Sequence, residues 1–243
     1  MVSIFFTIEF FFLKIWYTRF NQLNESEDIK MDILETMKAR HSVRQYKNQA
    51  IESSKREKIN ALIKDVNAES KLSIQVFYDE LKCFDSFMAH YGKFENVKNY
   101  IAIVGNKNDQ EKAGYYGEKI VLKCQKLGLN TCWVAMTHGK SKAQIKRGQK
   151  LLIIISLGYG ETQGVPHKSK SIAELGQADQ KNEWFEKGME AVSLAPTAVN
   201  QQKFYFELKN GIVTAKNLGG FYSRIDLGIV KYHFEAVTGH EVK

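Results

Sequence analysis

From Met31 onward, stretches with apolar residues at helical spacing alternate with short β-branched runs, and that alternation restricts the chain to folds that mix helices with sheet. Ile33, Leu34 and Met37 open the series, and their helix should end near Ala39-Arg40. A second helix is expected over about Glu52–Val66, with Ile59, Leu62, Ile63 and Val66 on one face. Ser73–Tyr78 and Asn99–Val104 read as strands. Tyr115, Ile120, Val121, Cys124 and Leu127 then place a helix over Glu111–Leu127, stopped by Gly128. Strands follow at Thr131–Ala135 and Leu151–Leu157, separated by a lysine-rich surface stretch around Gly139–Arg147. A polar loop runs to about Ser171, and a helix is expected at Glu183–Leu194. Strands at Phe204–Leu208 and Ile212–Ala215 are joined through Asn210-Gly211, a strong hairpin signal, and a last helix covers Ser223–Val237.

The thirty residues before this series differ in kind. Ile4–Tyr17 is rich in Phe and Ile, yet Glu9 and Lys14 interrupt it, and it lacks the basic start and small-residue cleavage site of a signal peptide. The same two charges argue against a spanning helix, which needs about 20 nearly unbroken apolar residues. Asn24-Glu25-Ser26-Glu27-Asp28 reads as a linker. Residues 1–30 are therefore expected to be an extension outside the functional core, which starts at Met31, with no stable membrane insertion.

Composition narrows the function. With 243 residues, 44% apolar and 26% charged, the chain can bury a sizeable core. A formal charge of +8 suits an anionic ligand, nucleic acid or acidic lipid. The basic residues are dispersed, however, without zinc-knuckle spacing, an aromatic RNA-binding signature or a helix-turn-helix pattern, so a small anion is the better reading and no nucleic-acid partner is expected. Cys83, Cys124 and Cys132 form neither a disulfide framework nor a metal site. A reducing cytoplasm fits them, with the thiols as small buried hydrophobes.

Two motifs carry chemistry. Arg40-His41-Ser42-Val43-Arg44 puts two guanidinium groups, an imidazole and a hydroxyl at a helix end, a set suited to phosphate. The same cluster would equally serve as a solvated basic helix end. In Ala195–Phe204, Pro196 breaks a helix, Thr197 can cap a new turn, and Asn200, Gln201 and Gln202 offer amides that match the edge of a flat heterocycle. A capping loop before a strand is the plainer alternative. The two halves, about 31–175 and 176–243, each start with an amphipathic helix followed by one of these motifs. Each also carries a Leu-Gly element, at Gly128-Leu129 and Leu227-Gly228-Ile229. A pseudo-duplication and two unrelated segments are both compatible with that pattern.

Together the motifs resemble the nitroreductase family of FMN flavoproteins, which typically shows RRSxR or RHSxR after its first helix and an APSxxNxQPW segment. AGYYGEKIVLKCQKLGLNTCWVA, from Ala113 to Ala135, resembles the family's helix and GLGTCWIG-like strand. SLGYGETQGVPHKSKSIAEL, from Ser156 to Leu175, resembles its LGYP...RKPLEE stretch. The likeness spans Met31 to about Gly239. It implies an α+β fold in which a mainly antiparallel sheet is surrounded by helices. It also implies FMN as cofactor, NAD(P)H as co-substrate, and ping-pong hydride transfer to a nitroaromatic, quinone or related small-molecule acceptor.

Carried onto this sequence, the resemblance implies that Arg40 and Ser42 meet the FMN phosphate and ribityl chain, with His41 also among the cofactor-binding residues. Arg44 reaches the pyrimidine edge, where a fixed positive charge favours reduction. Lys168 or Lys170 supplies a second basic contact, and the main chain near Val134, Ala135 and Met136 faces the reactive edge of the ring. Pro196, Thr197, Asn200 and Gln201 form the opposite wall. Two departures stand out. The place of the family's early APS segment is taken here by Asp65–Glu80, without proline, and the motif comes late; Ala135-Met136 replaces the Glu-Gly or Ile-Gly of other members. The late motif implies a site completed within one chain, as a monomer with a pseudo-dimeric site, or else a homodimer. A non-catalytic flavin or small-anion binding protein is the alternative.

Overall fold

The computed structural model describes residues 32–243. The expected extension over residues 1–30 and the start at Met31 lie outside the described residues.

Helix α1 (Ile33–Ala39) is short and buries Leu34 and Met37. Helix α2 (Ser53–Ser70) buries Ile59, Ile63 and Val66, as their spacing requires, and runs four residues past the expected end. The reason is local: Asn67 donates from Nδ2 to the Ile74 carbonyl at 2.8 Å and accepts the Ile74 N–H at 2.7 Å. Lys71 turns the chain in the left-handed region. One polar side chain thus closes the helix and aligns the following strand β1 (Ser73–Phe77).

Strands β2 (Asn99–Gly105), β3 (Asn130–Val134) and β4 (Lys150–Gly158) complete a four-stranded antiparallel sheet in the order β1-β2-β4-β3. Every residue of β2 is buried, because apolar clusters cover both faces of the sheet. One cluster joins the sheet to α2 and to helix α4 (Gln110–Lys126). The other gathers Val43, Tyr46, Phe84, Phe94 and Tyr100. Full burial of side chains such as Ile120 and Val121 contributes roughly 1.5–3 kcal/mol each. Between β1 and β2 lies the five-residue helix α3 (Phe87–Tyr91), capped by Ser86, whose Oγ accepts from the Ala89 N–H. It is too short to leave a periodic trace in the sequence.

The second half holds the capping-box turn α5 (Ile172–Leu175), strand β5 (Gly176–Ala178) and helix α6 (Glu183–Ser193), which Asn182 caps at the Phe185 N–H. A 3-10 turn (Ala198–Asn200) and strands β6 (Phe204–Lys209) and β7 (Ile212–Asn217) follow, and helix α7 (Ser223–Thr238) ends the series. The β6–β7 hairpin turns on Asn210 (φ 51°) and Gly211 (φ 74°), the pair of positive φ values that a two-residue hairpin requires. Strand β5 pairs in parallel with β6, the one parallel pair between these strands.

Helices α4 and α7 cross in backbone contact. A Cβ on Gly114 would lie 2.0 Å from the Ile225 carbonyl oxygen, and one on Gly228 would lie 1.9 Å from that of Glu111. This crossing fixes the first turn of α7 beside β3, where the cavity described below opens.

Candidate functional site

A cavity of about 460 Å3 opens where five segments meet: the chain after α1, the end of β3, the turn after α3, the loop after α6, and the first turns of α7. Its size is that of a small-molecule or cofactor site.

The chain after α1 reaches the cavity because it runs extended against the sheet. The Val43 N–H bonds to the Thr131 carbonyl of β3 at 3.0 Å, the Tyr46 N–H to Glu95, and the Lys47 N–H to Tyr159. The Tyr46 hydroxyl, fully buried, donates to the Val43 carbonyl at 2.7 Å and lies 2.8 Å from Ser156 Oγ. In an extended chain alternate residues share a side. Ser42 and Arg44 accordingly face the cavity, while Val43 packs into the core. His41 lies away from the cavity: its Cβ packs over Gly164, and its Nδ1 is 3.3 Å from the Gln163 carbonyl oxygen.

Arg40 is placed differently from its neighbours. It is 3% exposed, does not line the cavity, and leaves Nε and Nη1 buried without a hydrogen-bond partner. Its nearest counter-charge is Glu118 of α4, 3.9 Å from Nε. Burial presses the Arg40 guanidinium below its usual range, and Glu118 opposes that. Glu118 itself is fully buried. Burial alone would raise its carboxyl, but His233, Arg40 and Trp133 outweigh it and hold the group below the usual carboxylate range. His233 Nε2 lies 3.0 Å from one Glu118 oxygen and His233 Nδ1 2.8 Å from the Ala191 carbonyl, while Trp133 Nε1–H donates to the other Glu118 oxygen at 3.0 Å. The indole of Trp133 lines the cavity and rests on Gly117, where a Cβ would come within 2.4 Å of Cη2. Gly117 and Glu118 thus set the orientation of one cavity wall from beneath.

At the end of β3, Ala135 and Met136 line the cavity, whereas the Val134 side chain is buried in the apolar cluster with Val43. Cys132 also faces in, but burial pushes its thiol up, as it does for Cys83 and Cys124, both raised to about 12. Their reading as inert hydrophobes matches this environment.

Of the late motif, Pro196 and Thr197 line the cavity together with Ala198 and Val199. The amides expected to meet a heterocycle point elsewhere. Asn200 Nδ2 donates to the Lys168 carbonyl at 2.9 Å, and Gln201 Nε2 donates to the Phe221 carbonyl at 2.6 Å and to Asp226 at 2.7 Å. A side-chain amide can satisfy protein groups as readily as a ligand, and here the carbonyls of neighbouring segments at Lys168 and Phe221, with the Asp226 carboxylate, claim these amides. Lys168 and Lys170 stand behind the same loop. The Lys170 N–H bonds to Gln202 Oε1 at 2.8 Å and Lys170 Nζ to the Gln202 carbonyl at 3.2 Å; neither lysine lines the cavity.

Several lining residues were not singled out by the sequence, among them three polar side chains. Lys93 follows α3 in a left-handed turn (φ 60°), and Tyr91, 74% exposed, stands beside it. No local pattern marks either. Asp226 does have a signal, as a lone carboxylate on the apolar face formed by Ile225, Ile229 and Val230. It is buried in the cavity wall, and burial raises its carboxyl to about 6 despite hydrogen bonds from Gln201 and Ala198. Among the described residues, neither Arg44 nor Lys93 has an acidic partner, so the cavity carries surplus positive charge.

Comparison with known proteins agrees with this architecture. The family model described as "Putative TM nitroreductase" matches residues 32–238, and the chain belongs to that family. A solved structure described as a "putative nitroreductase" from Thermotoga maritima is 24% identical and covers 85% of this chain and 83% of its own, with a TM-score of 0.63. The α+β nitroreductase-like fold is therefore that of this protein. An "FMN-dependent Nitroreductase" from Clostridium difficile is 22% identical, covering 58% of this chain and 92% of its own at a TM-score of 0.43. No curated protein matches the chain. Among the described residues no helix is long and apolar enough to cross a membrane, and no cluster of His, Cys, Asp and Glu could hold a metal ion.

Proposed function

We propose that this chain is a flavin-dependent oxidoreductase that binds FMN in the cavity and passes electrons from NAD(P)H to a small acceptor such as a nitroaromatic or quinone. One observation carries the reading: Ser42 and Arg44 from one end of the chain meet Pro196 and Thr197 from the other on a single cavity, in a member of a nitroreductase family.

The residues present fit the cofactor. Arg44 and Lys93 offer two positive charges that make no ion pair among the described residues, against the single carboxylate of Asp226, and Ser42 and Thr197 add hydroxyls. Arg40 keeps two buried nitrogens without a hydrogen-bond partner, but Glu118 at 3.9 Å offsets its charge, so its part is in the wall rather than on the ligand. Trp133, Ala135 and Tyr222 give flat and small apolar surface for a planar ring. When bound, FMN supplies the hydride chemistry, in alternating half-reactions with donor and acceptor. The protein's part is position and charge: Arg44 and Lys93 would offset negative charge on the bound flavin, and the apolar walls would exclude water. Met136 and Tyr91 stand exposed at the mouth, where an acceptor would approach. Both walls come from the same chain, which supports one flavin per chain without an obligatory partner subunit.

The test is anaerobic addition of NADPH, and separately NADH, to protein loaded with FMN. Bleaching of the flavin band near about 450 nm, and its return when menadione or nitrofurazone is added, is the expected outcome, since the cofactor carries the redox step. Flavin that binds and stays oxidised with both nucleotides would replace the oxidoreductase by a flavin-binding protein.

A further inference from the structure

The loop that closes one side of the cavity is strained. Val199 (φ 47°), Asn200 (φ 54°) and Gln202 (φ 46°) all sit in the left-handed region, and none is glycine. For a β-branched residue this is a true outlier, and Val199 gains no packing from it, being 84% exposed. Backbone strain of this kind persists only where the surroundings over-determine it, and it concentrates at functional sites.

The hydrogen bonds that hold the loop divide into two sets. On the outer side, Asn200 and Gln202 donate to the Lys168 carbonyl, and the Gln202 N–H donates to Thr197 Oγ1 at 3.1 Å. On the inner side, facing the cavity, two acceptors hold it: the Phe221 carbonyl, which takes Gln201 Nε2 at 2.6 Å, and the Asp226 carboxylate, which alone reaches both the side chain and the main chain of the turn. Asp226 Oδ1 accepts the Ala198 N–H at 2.9 Å, and Oδ2 accepts Gln201 Nε2 at 2.7 Å. Asp226 is buried in the first turn of α7, and among the described residues it makes no ion pair. That turn cannot drift, because Gly228 locks α7 onto α4. A buried carboxylate with two converging N–H donors is a short, directional tether from a rigid helix to a strained loop.

We infer that Asp226 is a positioning residue: its carboxylate holds the turn at Ala198–Gln202 in its strained form, so that Pro196, Thr197 and Val199 make the wall against which the ligand docks. The inference rests on the reading that the cavity takes FMN. Two donors facing two oxygens also explain why a carboxylate is needed: an amide would turn its own NH2 toward that of Gln201.

The experiment pairs hydrogen–deuterium exchange of the peptide covering 195–202 with FMN titration by flavin fluorescence, in the native chain, Asp226→Asn and Asp226→Ala. Asp226→Ala should speed exchange in 195–202 while β4 and α4 stay protected, and should weaken FMN about tenfold or more, as expected for losing hydrogen bonds to a charged group. Asp226→Asn, which keeps an acceptor for the Ala198 N–H, should fall between the two. Should Asp226→Ala not fold, Gln201→Ala removes one of the two bonds from the other end and should speed exchange in 195–202 to a smaller extent. Unchanged exchange in 195–202, or native-like FMN affinity in Asp226→Ala, would overturn the inference. A native chain that takes up no FMN would instead remove the flavin reading, and the exchange data would still decide whether Asp226 holds the turn.

Discussion

The two walls of the cavity are built on opposite principles. The Arg40–Tyr46 wall is extended backbone bonded to other backbone: Val43 to Thr131, Tyr46 and Arg44 to Glu95, Gln45 to Glu161. None of its residues has a positive φ. The Ala195–Gln202 wall has three left-handed residues and is held largely by side chains, those of Asp226, Asn200, Gln201, Gln202 and Thr197. The first wall is part of the scaffold, so its integrity is that of the fold. The second is separable from the fold, and changes there should alter binding more than stability.

The largest effect should come from the root of the first wall. Glu118→Ala leaves Arg40 and His233 buried without their shared carboxylate, and removing one partner of a buried charge network costs about 3–5 kcal/mol. A denaturant titration should show that loss, and a midpoint within error of the native one would show that Glu118 does not hold the wall. Because the Glu118 carboxyl is depressed in the folded protein, its contribution is present at neutral pH and is lost as pH falls below the ordinary carboxylate range of about 4.

Asp226 has the opposite sign. Its carboxyl is raised from 3.8 to about 6, so the folded state is favoured while it is protonated, and that stability is lost as pH rises from about 4 through 6. Asp226→Asn should remove this component from a stability-versus-pH curve. An unchanged slope between pH 4 and 6 would mean that some other group titrates there.

For the cavity itself, Arg44→Ala should weaken FMN by about ten- to a hundredfold, the range for losing a charge-assisted hydrogen bond, with little change in melting temperature. Lys142→Ala, outside the cavity, should leave binding as it is. Equal affinity in both variants would take Arg44 out of the site.

The smallest effects separate the walls most cleanly. Tyr46→Phe leaves the Val43 carbonyl and Ser156 short of a partner and should cost about 1–3 kcal/mol. Val199→Gly relieves left-handed strain of about 1–2 kcal/mol but adds chain entropy of about 0.5–1 kcal/mol, so stability should stay level or rise slightly. A Val199→Gly chain less stable than native by more than about 1 kcal/mol would show that the second wall is also scaffold.

Much of this architecture is legible in the sequence. The helices and strands longer than four residues follow from apolar spacing and from stops such as Gly128, with α3 the exception. The hairpin follows from Asn210-Gly211. The short elements α3, α5 and β5 do not, since a helix of four or five residues barely exceeds one turn and a three-residue strand shows no alternation. The site is half legible. Ser42, Arg44, Ala135, Pro196 and Thr197, which the motifs single out, line one cavity, and two-residue alternation explains why His41 turns away. Asn200, Gln201, Lys168 and Lys170 were legible as polar groups but not as braces, because an amide's partner is decided by which backbone groups the loop leaves unsatisfied. Lys93 and Tyr91 reach the cavity through a left-handed turn that sequence spacing does not encode.

The most direct test of the central claim is an equilibrium titration of FMN with the native chain, read by quenching of flavin fluorescence. Saturable binding of one FMN per chain, lost when Ala198→Trp fills the cavity between the walls, is the predicted result. Flavin emission that the native chain leaves unchanged, or binding that survives the filled cavity, would contradict it.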